Sequence, residues 1–442
     1  MHGRIRGAVL SSAVLVLAVF LLLTGGALLS GAAPPARTAP PERTVPPERT
    51  AAPVGDRGAA VTRAQQRLHD VPGDYVTWAE LGAAYVQQAR VTADPSYYLK
   101  AKGALERSLQ VRRAGNSVAL TGLAALAAAR HDFVRALDLG RRSLAIDGYS
   151  ATTYGVVGDA LVELGRYDEA FRAVQRMVDL RPDVASYARA SYAWELRGDL
   201  RRACRALGLA LEAAPSPDDH GFALYYLGEL AWNAGDLQAA ERRYAEGARR
   251  APGYLPLQEG RAKVLAARGR TAEAIATYRT LTARLPQPAY VAELGDLLTA
   301  TGDHAGAAQQ YALVRAEQQL LRANGVDTDL ELALFDADHG NPAGALRAAR
   351  AAYATRKGIF GEDALAWAMH AAGRDREALP HARAAQRLGT RSALLRYHLG
   401  MIYAALGDRA GAREQLTAAL DTNPHFSPLQ APVARAFLGS LR

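Results

Sequence analysis

The stretch 151–182, ATTYGVVGDALVELGRYDEAFRAVQRMVDLRP, decides how this chain folds. Tyr154, Val157 and Leu161 recur at helical spacing, which predicts an amphipathic helix over its first half. Gly165 then interrupts the pattern at a point where a left-handed residue ends a helix at little steric cost. A second helical segment follows, and Pro182 stops it. Gly158 in the first helix and Ala170 in the second are small where the two helices must cross. A larger side chain at either place would push the backbones apart, an overpacking cost of roughly 1–3 kcal/mol.

The same grammar runs outward in both directions. The second-helix alanine recurs every 33 to 38 residues, at Ala101, Ala136, Ala170, Ala203, Ala240, Ala274, Ala307, Ala345, Ala378 and Ala412. Each has a small partner upstream: Gly82, Ala124, Gly158, Ser191, Gly228, Ala262, Gly295, Ala333, Ala366 and Gly400. Between the two, from the third repeat onward, stands a glycine: Gly165, Gly198, Gly235, Gly269, Gly302, Gly340, Gly373 and Gly407. Asp199, Asp236, Asp303, Asn341 and Asp408 are placed to cap the second helix of their repeats. Pro215, Pro252, Pro286 and Pro424 close second helices as Pro182 does. A period near 34 of this kind marks a stacked helix–turn–helix array.

The pattern resembles the tetratricopeptide repeat family over roughly residues 58 to 426. Trp78-x-x-Leu81-Gly82-x-x-Tyr85 matches that family's first-helix signature, and Ala170-x-x-x-Val174 with Pro182, or Ala240-x-x-x-Tyr244 with Pro252, its second. The resemblance implies an all-α, right-handed α-solenoid of about ten repeats that acts as an interaction surface rather than an enzyme. Three departures stand out. The first repeat carries extra residues around Thr92–Tyr98, the seventh runs on through Arg315–Asn324, and the eighth has Asp336 where an apolar residue is expected.

Arginine outnumbers lysine 49 to 4 and strand formers are scarce, which fits a helical chain from a GC-rich bacterial genome. A solenoid also relieves 442 residues of the need for one large core, because each repeat contacts only its neighbours. The single cysteine, Cys204, follows Ala203 in a second helix, is expected to be buried as a small hydrophobe, and has no internal disulfide partner.

The N-terminus bears on location. Arg4 and Arg6 precede residues 8–29, 22 positions without a charge. As a helix this run would span about 33 Å, enough for a bilayer core. The basic flank predicts an N-inside orientation that leaves the repeats outside the cytoplasm. Ser30-Gly31-Ala32 offers a small-x-small cleavage site, so residues 1–32 are a signal anchor or a signal peptide, and cleavage near Ala32 would release the chain. Residues 33–57 form a proline-rich linker: the APPART, APPERT and VPPERT hexads over 33–50 favour extended polyproline geometry and a reach of roughly 60 Å. Residues 58–74 read as an N-terminal capping helix, 75–426 as the solenoid and 427–442 as a C-terminal capping helix.

Chemistry is not signposted. The chain holds no phosphate-loop, dinucleotide, HExxH, CxxC or GxSxG motif, and its ten histidines lack ligand spacing. No cofactor, metal or catalytic residue is expected. His131-Asp132 and Asp303-His304 read as polar turn residues and His398 as a packed helix residue. The net charge of +9 comes partly from the pairs Arg141-Arg142, Arg201-Arg202, Arg242-Arg243 and Arg249-Arg250 on second helices, the convex face. Such a face suits solvent or an anionic envelope surface, and nucleic acid is not expected as a partner.

The resemblance implies that the second, fifth, ninth, twelfth and thirteenth positions of each repeat line the concave groove. These positions hold Asp159, Glu163, Glu195, Glu229, Glu259, Asp296, Asp338 and Asp363 against a lone Lys263, interleaved with Tyr192, Phe222, Tyr225, Trp232, Phe360 and Trp367. Asp159, Glu163, Tyr192, Glu195, Phe222, Tyr225, Glu229, Trp232, Glu259 and Asp296 are the candidate partner-binding residues. An acidic, aromatic groove suits a basic or amphipathic protein segment, because aromatics anchor while carboxylates select by charge. Two other readings remain open: a cytoplasm-facing regulatory array, and an enzyme whose site follows no known motif. Trp78 and Trp194, at interior positions, are read as core.

Overall fold

The computed structural model describes residues 57–441, and all of their regular structure is helical, in 22 helices. A flanking helix α1 (Arg57–Asp70) precedes ten antiparallel pairs: α2 (Tyr75–Thr92) with α3 (Tyr97–Val111), α4 (Ser117–Ala129) with α5 (Phe133–Ile146), α6 (Ala151–Glu163) with α7 (Tyr167–Leu180), α8 (Val184–Glu195) with α9 (Leu200–Glu212), and α10 (Pro217–Asn233) with α11 (Leu237–Arg250). The series continues with α12 (Pro256–Ala267) and α13 (Thr271–Arg284), α14 (Pro288–Ala300) and α15 (His304–Ala323), α16 (Asp329–Asp338) and α17 (Pro342–Thr355), α18 (Ile359–Ala371) and α19 (Asp375–Ala384), and α20 (Ala393–Ala405) and α21 (Arg409–Thr422). Helix α22 (Gln430–Ser440) packs on α21 at the other end.

The small positions are the crossing points. The ten second-helix alanines are all buried, Ala101, Ala136, Ala170 and Ala240 completely. At Gly82 an added Cβ would sit 2.5 Å from Leu105 Cγ, and at Gly400 2.7 Å from Leu416 Cγ. The capping residues do their expected work: Asp199, Asp236, Asp303, Asn341 and Asp408 each accept a backbone N–H three residues on. Asp336 is met rather than exposed. Arg315, on the lengthened α15, reaches it at 2.6 Å, and Asn341 donates to its second oxygen at 2.8 Å.

Cys204 corrects the sequence expectation, for its side chain is exposed. Ala203 occupies the position facing the partner helix with no exposure, so the next residue, about 100° around the helix, turns to solvent. Among the described residues no helix is long and apolar enough to cross a membrane, and the run expected to do so, residues 8–29, lies outside them, as does the proline-rich linker up to residue 56.

A feature that no single repeat predicts fixes the shape of the interior. Residues 191 to 196 positions apart meet repeatedly. His131 Nδ1 donates to Asp327 O at 2.6 Å, Arg356 holds Glu163 at 2.8 Å, Tyr167 Oη accepts from Ile359 N at 2.6 Å, Thr390 Oγ1 donates to Leu196 O, and Asn423 Nδ2 donates to Trp232 O at 2.9 Å. The solenoid therefore coils back on itself with a constant period, through about two turns over the described residues. The interhelical glycines of the first turn are used twice. Gly165, Gly198 and Gly235 all have φ above +70°, and a Cβ on Gly165 would lie 2.5 Å from Lys357 O in the next turn. Gly198 abuts Gly389 and Gly235 abuts Thr422 in the same way, whereas Gly269, Gly302, Gly373 and Gly407 face open space.

Candidate functional site

First helices of successive repeats line the interior, and their polar side chains converge there because each repeat offers the same face. The turn-to-turn contacts close this groove laterally and leave a cavity of about 650 Å³. Six of the ten candidate residues, Tyr192, Glu195, Tyr225, Glu229, Trp232 and Glu259, lie on its wall. The other four do not. Asp159 is clamped by Arg189 through two bonds of 2.9 and 2.7 Å, and Glu163 is bound by Arg356 between turns. Phe222 packs into the core with its ring 4.6 Å from that of Tyr226. Asp296 has no exposure and accepts from Tyr311 Oη at 2.8 Å and His339 Nε2 at 3.1 Å.

The lone lysine was therefore an undercount of the groups that answer these acids. Asp159, Glu163, Asp296 and Asp363 are answered by Arg189, Arg356, His339 and His398, the last donating from Nδ1 at 2.9 Å. Those partners come from positions outside the groove register, which a position-by-position reading does not collect. Asp338 is held by Trp367 Nε1 at 2.7 Å and Gln430 Nε2 at 3.1 Å.

What remains acidic is one sector. Lys263 Nζ sits 2.7 Å from Glu229 and 3.0 Å from Glu259, and 5.5 Å from the centre of the Trp232 ring. Tyr225 Oη donates to Glu259 at 3.0 Å and Tyr244 Oη to Glu229 at 2.6 Å. Asn233 Nδ2 donates to Glu195 at 3.2 Å. Two further wall residues escaped the sequence reading. Glu293, on α14, lies two residues before Gly295 whereas Glu259 lies three before Ala262, so it falls one place outside the groove register. Glu317 lies on the extension of α15, which the repeat pattern does not describe, and neither of its buried carboxyl oxygens has a hydrogen-bond partner.

Burial governs the titration of this sector. It pushes Glu195 up to about 7, with Glu229 adding repulsion, and Glu317 up to about 8. Glu259 and Glu293 are raised chiefly by burial as well, despite Lys263 opposing it. The native chain therefore holds protons that the unfolded chain has already released above pH 4.5. Stability from these groups is fully present below that value and is lost as pH rises toward 7–8, by up to about 1.4 kcal/mol per pH unit for each proton involved. His339, raised through Asp296 against its own burial, acts in the same direction, and His425, lowered by burial and Arg435, opposes it only at the acid end. The thermal midpoint should accordingly fall between pH 5.5 and 8; a rise over that range would show these carboxyls to be ionised and solvated.

Among the described residues no three of His, Cys, Asp and Glu are grouped so that they could hold a metal ion. The tetratricopeptide repeat family profile matches residues 393–426. No curated protein matches the sequence. Solved structures similar to the chain include the following three. A thermophilic TPR protein of Thermus thermophilus is 21% identical over 42% of this chain and 99% of its own, with a TM-score of 0.37. Cut9 in the APC/C hetero-tetramer Cut9-Hcn1 is 13% identical over 88% and 93%, with a TM-score of 0.39. The human IFIT1 dimer with PPP-AAAA is 13% identical over 83% and 86%, with a TM-score of 0.44.

Proposed function

We propose that this chain, a tetratricopeptide-repeat protein, is a non-enzymatic scaffold that takes a basic or amphipathic segment of another protein into its interior. The observation that carries this reading is the sector of Glu195, Glu229, Glu259 and Glu293, four carboxylates served by one lysine, set among Tyr192, Tyr225 and Trp232. Carboxylates in a partly dry cavity select positive charge, and flat rings cover the aliphatic stems of lysine or arginine. A cavity of 650 Å³ has the size of a small-ligand site, so it receives side chains and a short length of backbone rather than a folded partner.

The same reading places the scaffold outside the cytoplasmic membrane, tethered through residues 8–29, with the exposed pairs Arg141-Arg142 and Arg242-Arg243 facing an anionic envelope. Arg4 and Arg6 ahead of an uncharged run support it. Alkaline phosphatase fused after Arg442 should be active in cells; an inactive fusion beside a fluorescent cytoplasmic reporter would reverse the orientation.

Binding is tested with fluorescent basic peptides and the full chain in detergent. Trp232→Ala should cost more than ~1 kcal/mol of affinity if that ring is an anchor. Arg242→Glu with Arg243→Glu, on the convex side, should leave affinity unchanged. Should the convex exchanges abolish binding while Trp232→Ala does nothing, the interior is not the site.

A further inference from the structure

Lys263 displays what an ammonium group does in this cavity. Its one Nζ bridges Glu229 on α10 and Glu259 on α12, carboxylates of two neighbouring repeats. Further acids line the same wall on both sides without a lysine between them. Glu195 on α8 stands before Glu229 and receives only the amide of Asn233, and the Glu195 and Glu229 charges repel each other. Glu293 on α14 stands after Glu259, repels it in the same way, and no ion pair or hydrogen bond among the described residues reaches it. The ladder thus has three gaps between four carboxylates, and the protein fills only the middle one.

A second observation lies along the same wall. Gln318 is 4% exposed and its Oε1 has no hydrogen-bond donor, and next to it both carboxyl oxygens of Glu317 are buried without a donor. Buried acceptors of this kind carry a desolvation penalty until an N–H reaches them. Tyr226, Tyr254 and Tyr290 complete the aromatic lining between the acceptors. The acceptors are strung along the cavity and not gathered round a point, which matches the lack of any metal-sized cluster among the described residues. They call for several separate N–H donors on a slim apolar stem.

We propose that the cavity binds a free linear polyamine, an aliphatic chain whose ammonium groups occupy the Glu195–Glu229 and Glu259–Glu293 gaps on either side of Lys263. Its methylenes run over the tyrosine rings, and a further amine reaches toward Glu317 and Gln318. This goes beyond the scaffold reading by assigning a small-molecule ligand to the interior, and it uses the same wall.

The test is calorimetric titration of the full chain in detergent with spermidine, and a thermal melt of the wild type with and without it. One saturable site is expected, together with a raised thermal midpoint that sodium chloride of equal ionic strength does not reproduce. Glu195→Gln and Glu293→Gln, which keep shape but cannot ionise to pair with an ammonium group, should each weaken spermidine by about tenfold, the scale of a charge-assisted hydrogen bond. Glu241→Gln, on the outer helix α11, should change nothing. Weak, non-saturating binding, equal binding by all three variants, or full displacement by magnesium would overturn the proposal, because each describes a diffuse acidic surface. A lysine-rich peptide run in parallel separates the two readings. If the peptide binds and spermidine neither binds nor competes, the polyamine site fails and the scaffold stands; if spermidine binds and no basic peptide does, the reverse holds.

Discussion

Arg356→Ala should cost about 3–5 kcal/mol of folding stability, the penalty for leaving buried charge without its partner. Arg356 is buried at the end of α17, in the second turn of the coil. Its guanidinium holds Glu163 of the first turn at 2.8 Å and Glu331 of its own turn at 3.2 Å, and it lies 5.2 Å from the centre of the Phe133 ring. Removing it strands two carboxylates with side-chain exposures of 14% and 8%. A domain has only about 5–15 kcal/mol of stability in total, so the loss should be plain in a urea titration. Arg166→Ala, which removes an exposed, solvent-screened pair with Glu169, is the control and should leave the urea midpoint nearly unchanged. Because Arg356 ties one turn to the next, small-angle scattering should also report a longer, looser particle. Combining Arg356→Met with Glu163→Gln and Glu331→Gln should recover much of the loss, since it is the unpaired charge that is costly. A loss below about 1 kcal/mol for Arg356→Ala would mean that water reaches both carboxylates.

Local physics explains what the sequence made legible. Ala203 and Ala240 could be placed at helix crossings because every repeat must solve the same close-packing problem, and Asp199 or Asp408 at caps because the orphan N–H groups of a helix start want a side-chain oxygen. The contacts at Gly165, Gly198 and Gly235 were illegible for the opposite reason. In the repeat pattern Gly165 and Gly269 are equivalent, yet only the first meets another turn, and that depends on the pitch accumulated over some 190 residues. The candidate site suffered from the same blindness. A register that lists groove positions finds Glu195, Glu229 and Glu259, but Arg189 comes from outside that list and Arg356 from a helix end nearly two hundred residues away. Cys204 shows a smaller failure: adjacency to a buried alanine on a helix predicts a different face, not the same one.

Tyr244→Ala should be comparably costly, about 3–5 kcal/mol, and for a different physical reason. The Tyr244 side chain has no exposure and its ring lies against Gly228 of α10 on one side and Gly260 of α12 on the other. A Cβ at either glycine would overlap the ring, so the two glycines and the tyrosine form one joint that sets the distance between the fifth and sixth repeats. Gly228→Val should therefore also destabilise, by roughly 1–3 kcal/mol through overpacking, and the ring cannot yield without disturbing Tyr225, 6.1 Å away between centroids. Hydrogen exchange should rise across α8 to α13 in both variants, because damage to one repeat passes to its neighbours. Tyr244→Phe isolates the other half of the residue's work. It keeps the ring and removes only the 2.6 Å bond to Glu229, so stability should drop by about 0.5–1.5 kcal/mol. Glu229 would then be held by Lys263 alone, and capture of basic ligands should weaken with the packing intact. If Tyr244→Phe binds such ligands as the parent does, the hydroxyl only satisfies a buried acceptor and Lys263 suffices to orient the acidic wall.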